Sequence, residues 1–483
     1  MTPPVFRRIA ATALGALTLS HCAQNPVTGG KDFVLMSEQQ EIQMGAQAHQ
    51  DVLKEYAALD NPALQTYVNE VGQRLAKQSH RPNLQWHFTV VDSPDVNAFA
   101  LPGGYVYITR GIMAYLNSEA ELAGVVGHEI GHVTARHGVR QQSASTAAGL
   151  GAVFGSVLIP GLNNQAGASL MQSLARAWTA GYGREHELES DRLGAQYLAK
   201  SGYEPQAMIQ VIGVLKNQEL YATEQAKRDG REPASYHGTF ATHPSNDTRL
   251  QQVVNEANRY TTALPRTNGN TFLQKMSGVV FGDSPDQGMV RNNMLLHEKL
   301  GLAVQFPQGW RVHNHSDRVV ALSPQNDARI ELLPGPKNDK PLETLQKGLK
   351  LDTGARFDSG NLSGYPAAFA AGAQQGKPLV AAAVVFNGSQ YLIAGLAKDK
   401  PTYDRERSAL RTAINSFHAI TPAERKLARP YLLKLVTVQP GTTMADLAKA
   451  SPLGQDAESQ LRLMNDLYPT GEPKPGQQLK IVQ

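Results

Sequence analysis

One segment limits the fold of this 483-residue chain more than any other, because it predicts a capped, buried helix that carries polar groups. Residues 117–138 read NSEAELAGVVGHEIGHVTARHG. Ser118, followed three residues later by Glu121, forms a capping box, and Gly138 suits the C-terminus of the helix. The apolar positions of this helix are Leu122, Val125, Val126, Ile130 and Val133. The chain must therefore build a core that also accommodates the histidines and glutamates of the helix.

Three of those polar residues have the spacing of a metal site. Successive residues of a helix turn by about 100°, so His128 and His132 lie on one face, one turn apart, and can bind the same ion. Glu129 lies next to the first histidine and is placed to act as general base towards a water at the metal. The His-Glu-x-x-His pattern also occurs by chance in chains of this length. The capped apolar helix around it favours a zinc site of the kind found in peptidases.

The third ligand is not the next histidine along the chain. His137 follows His132 by five residues, which places it about 140° around the helix, and it lies nearly opposite His128. It cannot share their metal while the helix continues. We expect His137 to be a surface or capping residue near the helix C-terminus, where its positive charge is favourable.

A second helix offers carboxylate ligands. Within GYGREHELESDRLGAQYLAKSGYEP, Glu187 and Asp191 are one helical turn apart. Glu187 would complete a site of two histidines and one glutamate, and Asp191 would accept a hydrogen bond from a ligand histidine. The alternative is a solvated acidic face, because Glu185 and Glu189 show that carboxylates are abundant here. From spacing alone, Glu187 is the best of several candidates.

Four segments resemble, in order and spacing, the HtpX, CaaX prenyl protease and BepA group of gluzincin metallopeptidases. They are NAFALPGGYVYITRG, SEAELAGVVGHEIGHV, REHELESDRLGAQYL and THPSNDTR. The resemblance covers about residues 35–260, and its soluble periplasmic BepA-like branch fits best. It implies a mainly α-helical, zincin-like domain with a small β-sheet, and one Zn²⁺ per chain. It also implies that His128, His132 and Glu187 bind this ion, with Glu129 as the catalytic base.

The same resemblance implies roles for residues outside the two helices. The strand at Gly103–Ile108 would pair with an extended substrate, so that the substrate-binding residues are Gly103, Gly104, Tyr105, Val106 and Tyr107. His243, in the THP motif, would take a fourth position at the zinc and hold the enzyme latent, or stabilise the transition state once displaced. Arg249 matches the arginine that follows this motif. No 34-residue repeat is visible, so the helical repeat domain of BepA is expected to be absent.

The C-terminal half reads differently. From about residue 296, short strands alternate with Gly, Pro and Asn turns, and helices are predicted at 341–350 and 402–416. The last segment is predicted to have the order strand, helix, helix, strand and resembles the LysM module, a small glycan-binding unit. The resemblance implies peptidoglycan as a possible partner. We expect a multidomain chain with a signal peptide (1–22), a zinc metallopeptidase domain (23–262), a linker (263–296), an α+β domain of unknown role (297–418) and a LysM-like module (419–483).

The N-terminus predicts export. Arg7 and Arg8 precede a short apolar run, Ile9–Leu19, which is typical of a secretory signal and too short to span a bilayer. Cys22, the only cysteine of the chain, follows LTLSH, which resembles a bacterial lipobox. We therefore expect lipidation of Cys22, an outer-membrane anchor and no disulfide. The alternative is an ordinary signal peptide with an incidental cysteine.

The net charge of the chain limits the classes of partner that can be expected. A formal charge of +4, without a long basic run, gives no reason to expect nucleic acid. We expect a zinc-dependent endopeptidase in the periplasm of a Gram-negative bacterium, acting on extended or misfolded envelope proteins in quality control. The alternative is a chaperone-like assembly factor, or a peptidoglycan-tethered binding protein, with little proteolysis.

Overall fold

The computed structural model describes residues 22–144, 183–228, 230, 247–260 and 265–483. Residues 1–21 of the predicted signal peptide (1–22) lie outside the described residues. The described chain falls into two compact units: Val280–Tyr431 forms one, and the residues up to Val279 together with Leu432–Gln483 form the other. None of the helices in the described ranges combines the length and apolar character that a membrane span needs.

The first unit is mainly helical and holds a small sheet. Its strands before residue 280 are β1 (Cys22–Gln24), β2 (Lys31–Phe33), β3 (His87–Val91), β4 (Ala98–Leu101) and β5 (Tyr105–Thr109). Its helices are α1 (Glu38–Glu55), α2 (Pro62–Ala76), α3 (Arg110–Tyr115), α4 (Glu119–Thr134), α5 (Arg184–Lys200), α6 (Ala207–Arg228), α7 (Asp247–Ala257) and α8 (Gly269–Met276).

Helix α4 is the core of this unit. The Ser118 side chain accepts a hydrogen bond from the Glu121 backbone N–H, as the capping box predicts. Every residue from Glu119 to Thr134 is buried, including the histidines and glutamates. The amino-terminal helix, α1, also begins at a capping box, which Ser37 and Gln40 form. Both helices therefore begin where local sequence signals place them.

The small sheet has the strand order β3-β5-β4. Strand β5 lies in the middle, parallel to β3 and antiparallel to β4. Gly103 and Gly104 form the turn between β4 and β5 with φ values of 83° and 95°, a conformation that favours glycine. Strand β4 is thus at one edge of the sheet, and β5 is not.

The second unit is rich in β-structure. Its strands are β6 (Val280–Phe281), β7 (Met289–Arg291), β8 (Met294–His297), β9 (Leu302–Gln305), β10 (Arg311–Asn314), β11 (Val319–Leu322), β12 (Ala328–Pro334), β13 (Arg356–Leu362), β14 (Tyr365–Gln374), β15 (Lys377–Phe386), β16 (Ser389–Ala397) and β17 (His418–Ala419). Its helices are α9 (Pro341–Gly348), α10 (Lys400–Asn415) and α11 (Pro422–Leu427). A seven-stranded antiparallel sheet has the order β10-β11-β12-β16-β15-β14-β13. The chain is therefore multidomain with a β-rich C-terminal half, as predicted.

The stretch expected to be a linker, residues 263–296, contains regular structure. Helix α8 lies in it, as do strands β6, β7 and β8. Strands β7 and β8 pair through a turn at Asn292 and Asn293, both with positive φ. Short strands joined by Gly and Asn turns have the same composition as a linker, so composition alone does not distinguish a linker from a folded segment.

The final residues form strand β18 (Tyr431–Thr437), helix α12 (Met444–Lys449), a 3₁₀ turn (Gly454–Asp456), helix α13 (Ala457–Met464) and strand β19 (Gln478–Val482). Strands β18 and β19 pair antiparallel. The order strand, helix, helix, strand is the one that the sequence predicts, whereas glycan binding stays a prediction. Lys480 of β19 is buried and donates hydrogen bonds to the carbonyls of Ala114 and Leu116, which explains why this segment belongs to the first unit.

Candidate metal centre and active-site cleft

Glycines allow α4 and α5 to approach closely. A Cβ atom added at Gly131 would lie 2.9 Å from Ser190 Oγ and 3.0 Å from Ser190 Cα. At Gly127, a Cβ would lie 3.4 Å from the Cα of Gly194. The two helix backbones are therefore nearly in contact, and this brings the carboxylates of α5 to the histidines of α4.

The contact assembles a buried set of three donors, His128, His132 and Glu187. The Nε2 atoms of the two histidines lie 3.0 Å apart. They lie 3.5 and 3.4 Å from the two carboxylate oxygens of Glu187. Donors bound tetrahedrally at about 2.0–2.1 Å from one Zn²⁺ are about 3.3–3.4 Å from each other. The three side chains are therefore close enough together to hold one zinc ion.

The electrostatics of the site also favour a cation. Burial lowers the pKa of His128, but hydrogen bonds to Asp191 and Glu187 outweigh burial and raise that pKa to about 10. The surroundings of His128 therefore stabilise a positive charge at this imidazole. A bound divalent cation provides such a charge, as a proton does. Burial holds the pKa of His132 well below its ordinary value. Its imidazole is thus neutral, which is the form that binds a metal.

Asp191 and Arg249 support the first ligand. The Nδ1 atom of His128 lies 2.8 Å from Asp191 Oδ1, which is the contact that the one-turn spacing predicts. Arg249 donates two hydrogen bonds to Asp191, at 2.8 and 2.7 Å, and its third nitrogen lies 3.0 Å from Glu187. Burial would raise the pKa of Asp191, but Arg249 and His128 hold it below its usual range. Arg249 therefore fixes both carboxylates of α5.

The prediction that His137 is a surface or charged capping residue is wrong. Its side chain is fully buried, and burial lowers its pKa. The physical reason is that α4 ends at Thr134 and Arg136 has a positive φ of 55°, so the regular rotation of α4 is interrupted before the helical residues that begin at His137. After this break, His137 Nδ1 lies 2.9 Å from His132 Nδ1. This contact is on the side of the His132 ring that faces away from the other donors.

Glu129 lies in a cavity beside the donor set. His128, Asp191 and Arg249 line the same cavity. Its apolar lining is Ala98, Ile112, Val125, Met208, Val211, Ile212 and Leu215. The carboxylate of Glu129 therefore lies next to both the metal site and an apolar recess. Ala98 also lines this cavity, so one end of the edge strand β4 borders it.

The structure contradicts substrate pairing along Gly103–Tyr107. Tyr105, Val106 and Tyr107 belong to β5, whose two sides are already hydrogen-bonded to β3 and β4. Gly103 and Gly104 form a turn that packs against Ile42 and Gln85. Nothing in these residues offers an unpaired strand edge. The sequence showed that a strand was present, but strand order depends on which segments pair.

Strand β4 lies at the edge of the sheet, so an added strand can pair with its outer side, whereas both sides of β5 are already paired. Along β4, successive residues direct their backbone N–H and C=O groups alternately towards β5 and away from it. Thr109 donates its backbone N–H to the Asn97 carbonyl, so the backbone groups of Asn97 point towards β5. Ala98 and Ala100 then direct their backbone groups away from β5. Among the described residues, no strand pairs with this outer side of β4. The edge runs from the Glu129 cavity, at Ala98, to a recess that Ala100 and His132 line.

The sequence predictions met three different outcomes at this site. The structure brings together His128, Glu129, His132, Glu187, Asp191 and Arg249. His243 lies outside the described residues, and so do residues 145–182 between α4 and α5. The contacts of His137 and Glu189 were missed. A signal for them existed, since metal-binding histidines regularly have a hydrogen-bonding partner at the second ring nitrogen.

Comparison with known proteins agrees with this geometry. Residues 62–257 match the family model described as Peptidase family M48. A beta-barrel assembly-enhancing protease of Escherichia coli (strain K12) is 30% identical over 284 residues, which are 56% of this chain and 56% of that protein. The protein of that name from Yersinia pestis is 33% identical over 327 residues, 64% of each chain. A mitochondrial metalloendopeptidase of Arabidopsis thaliana is 33% identical over 153 residues, 32% of this chain and 30% of that one.

The chain therefore spans little more than half the length of the E. coli relative that it matches. The matched family segment contains the three donors, Glu129 and Arg249. The resemblance to BepA-like metallopeptidases is confirmed. Over residues 62–257, which are less than half of its length, this chain is similar to the metallopeptidases of family M48.

Proposed function

We propose that this chain is a zinc-dependent endopeptidase of the bacterial cell envelope that hydrolyses peptide bonds in extended or misfolded envelope proteins. The observation that carries the proposal is the buried donor set of His128, His132 and Glu187, with Glu129 beside it in a cavity that meets an open strand edge. The family match and the names of the relatives support the reaction class.

The chemistry follows from the side chains around the cleft. A bound zinc ion would lower the pKa of a coordinated water and polarise the scissile carbonyl. Glu129 accepts a proton from the attacking water and then gives it to the leaving amine. Asp191 and Arg249 hold His128 and Glu187 in place during both steps. His243 stays a prediction for the role of latency or transition-state stabilisation.

Substrate recognition is assigned to β4. An extended peptide would add to the outer edge of this strand through the backbone groups of Ala98 and Ala100. Backbone pairing does not read sequence, which suits a peptidase for unfolded chains. The apolar recess beside Glu129 would then select an apolar side chain next to the scissile bond.

Location and tethering form a separate part of the proposal. The predicted signal peptide of residues 1–22, with lipidation of Cys22, would place the enzyme in the periplasm and anchor it to the outer membrane. A LysM-like C-terminal segment would add contact with peptidoglycan. The relatives named for β-barrel assembly support a quality-control role at that membrane.

The decisive experiment compares the wild type with Glu129→Gln. We expect cleavage of an unfolded protein such as reduced casein to fall by about 10²–10⁴-fold, while one zinc per chain is retained, because the base is lost and the ligands are not. Glu185→Gln is the matched control, since Glu185 is exposed on α5. Undiminished cleavage by the Glu129 variant would contradict the proposal.

The same variant separates the enzyme from the assembly factor. If a strain that lacks the protein recovers fully when it produces Glu129→Gln, the chain acts by binding rather than by cleavage. Retention on purified peptidoglycan tests the tether, and a protein that passes through unbound removes peptidoglycan from the list of partners.

A further inference from the structure

A second imidazole lies directly behind the ligand His132. The Nε2 atom of His132 faces His128 and Glu187, and its Nδ1 atom lies 2.9 Å from His137 Nδ1. At the far side of its ring, His137 Nε2 lies 3.0 Å from the carboxylate of Glu189. Three side chains thus form one line from the metal site to the surface of α5.

Hydrogen-bonding rules fix where the protons lie in this line. A carboxylate only accepts, so His137 donates from Nε2 to Glu189. A ring nitrogen that binds a metal carries no proton, so the proton of His132 lies on Nδ1 when Nε2 directs its electron pair towards His128 and Glu187. His132 then donates from Nδ1 to His137 Nδ1, which accepts.

We propose that His137 is a positioning residue, which together with Glu189 holds His132 in the tautomer and orientation that bind the metal. The inference rests on the proposed function, because it takes the donor set to be a zinc site. It gives His132 the kind of support that Asp191 gives His128, with one imidazole inserted between the ligand and the carboxylate. The two ligands of α4 are then both fixed from α5.

Packing holds the inserted imidazole in place. The ring of His137 stacks on that of His186, with centroids 4.2 Å apart and an interplanar angle of 18°. It meets the ring of His132 edge-on, at 4.9 Å and 73°. Arg140 lies 3.4 Å from the same oxygen of Glu189 that His137 contacts, so the carboxylate is held from two directions. These contacts fix the orientation of the His137 ring and of the Glu189 carboxylate.

The test measures zinc binding rather than cleavage. His137→Phe keeps a flat ring but removes the acceptor, and His137→Asn keeps an acceptor near the position of Nδ1. We expect the phenylalanine variant to bind Zn²⁺ about 10–100-fold more weakly, by competition with a chelator of known affinity, and to alter the visible spectrum of the Co²⁺-loaded protein. The asparagine variant is expected to recover most of both properties.

His80→Phe is the matched control, because His80 lies outside the donor set but hydrogen-bonds Tyr197 of α5. It is expected to lower the stability of the metal-free protein without changing zinc affinity. Zinc affinity and Co²⁺ spectrum unchanged in His137→Phe, or equal losses in both His137 variants, would overturn the proposal.

A second variant decides the matter if His137→Phe does not fold. Glu189→Leu removes the far acceptor of the line at a partly exposed position, and zinc affinity equal to the wild type would refute the role of the pair. Because cleavage is not the readout, a wild type that binds zinc but cuts nothing would count against the proposed function alone.

Discussion

Substituting Gly131 with alanine tests whether the close contact of α4 and α5 sets the geometry of the metal site. The added Cβ would lie 2.9 Å from Ser190 Oγ and 3.0 Å from both the Cα and the carbonyl oxygen of Ser190. Two of these three atoms are backbone, so a side-chain rotation cannot relieve the contact. Helix α5 must shift away from α4, and Glu187, one turn before Ser190, must shift with it.

The magnitude follows from two opposing contributions. Overpacking of this kind costs about 1–3 kcal/mol of folding free energy. Alanine in a helix interior recovers about 1 kcal/mol relative to glycine. We expect a net loss of about 0–2 kcal/mol in the free energy of unfolding of the metal-free protein. Zinc affinity should fall by about tenfold or more, because the glutamate ligand is displaced from the two histidines.

Gly213→Ala provides the control. Gly213 lies inside α6, and a Cβ added there meets nothing within 4 Å. This variant should gain about 0.5–1 kcal/mol and bind zinc as the wild type does. Urea unfolding of the metal-free proteins gives the first quantity, and chelator competition gives the second. A Gly131 variant that gains as much stability as the Gly213 variant, with undiminished zinc affinity, would refute the reasoning.

Other substitutions test the cleft and the C-terminal strand. Ala100→Pro removes a backbone donor from the outer edge of β4 and should lower kcat/KM for an unfolded protein by roughly 2–10-fold, whereas Ala100→Ser, which keeps the N–H, should not. Arg249→Met leaves the carboxylates of Asp191 and Glu187 without their cation, so the metal-free protein should lose about 3–5 kcal/mol in urea unfolding; an unchanged midpoint and slope would show that the pair needs no cation. Burial lowers the pKa of Lys480 to about 7 from its ordinary 10.5, so between these pH values the unfolded chain binds a proton that the folded chain has released. The free energy of unfolding of the wild type, relative to Lys480→Met, should therefore rise with pH across this window by at most about 1.4 kcal/mol per pH unit, and a flat or falling difference would contradict the assignment.

Local signals predicted the parts of the site that depend on one helix. The capping box of Ser118 and the one-turn spacing of His128 and His132 are properties of neighbouring residues, and both are present in the structure. Glu187 depends on the contact of two helices. Spacing therefore left it among several acidic candidates, and only the resemblance to a family singled it out.

Two predictions failed because they extended a local pattern beyond its range. The rotation of 100° per residue placed His137 on the surface, but α4 ends at Thr134 and the positive φ of Arg136 interrupts this rotation before His137. The strand expected at Gly103–Ile108 is present as Tyr105–Thr109, but it is the central strand of the sheet, and four of its five residues are buried. Strand order is decided by long-range pairing, which periodicity does not contain.

The packing of the C-terminal segment changes how a tether must be tested. Lys480 is buried, and its two hydrogen bonds go to carbonyls of Ala114 and Leu116, directly before the N-cap of α4. Deleting the segment would leave these carbonyls without their donor and expose the core beneath β19, which destabilises the helix that carries the zinc ligands. A truncated protein that loses its function therefore does not separate loss of glycan binding from loss of the metal site. Substitutions at exposed positions of the segment, such as Gln439 and Lys474, leave that contact intact, so only a loss of peptidoglycan retention in these variants, with cleavage unchanged, would identify a tether.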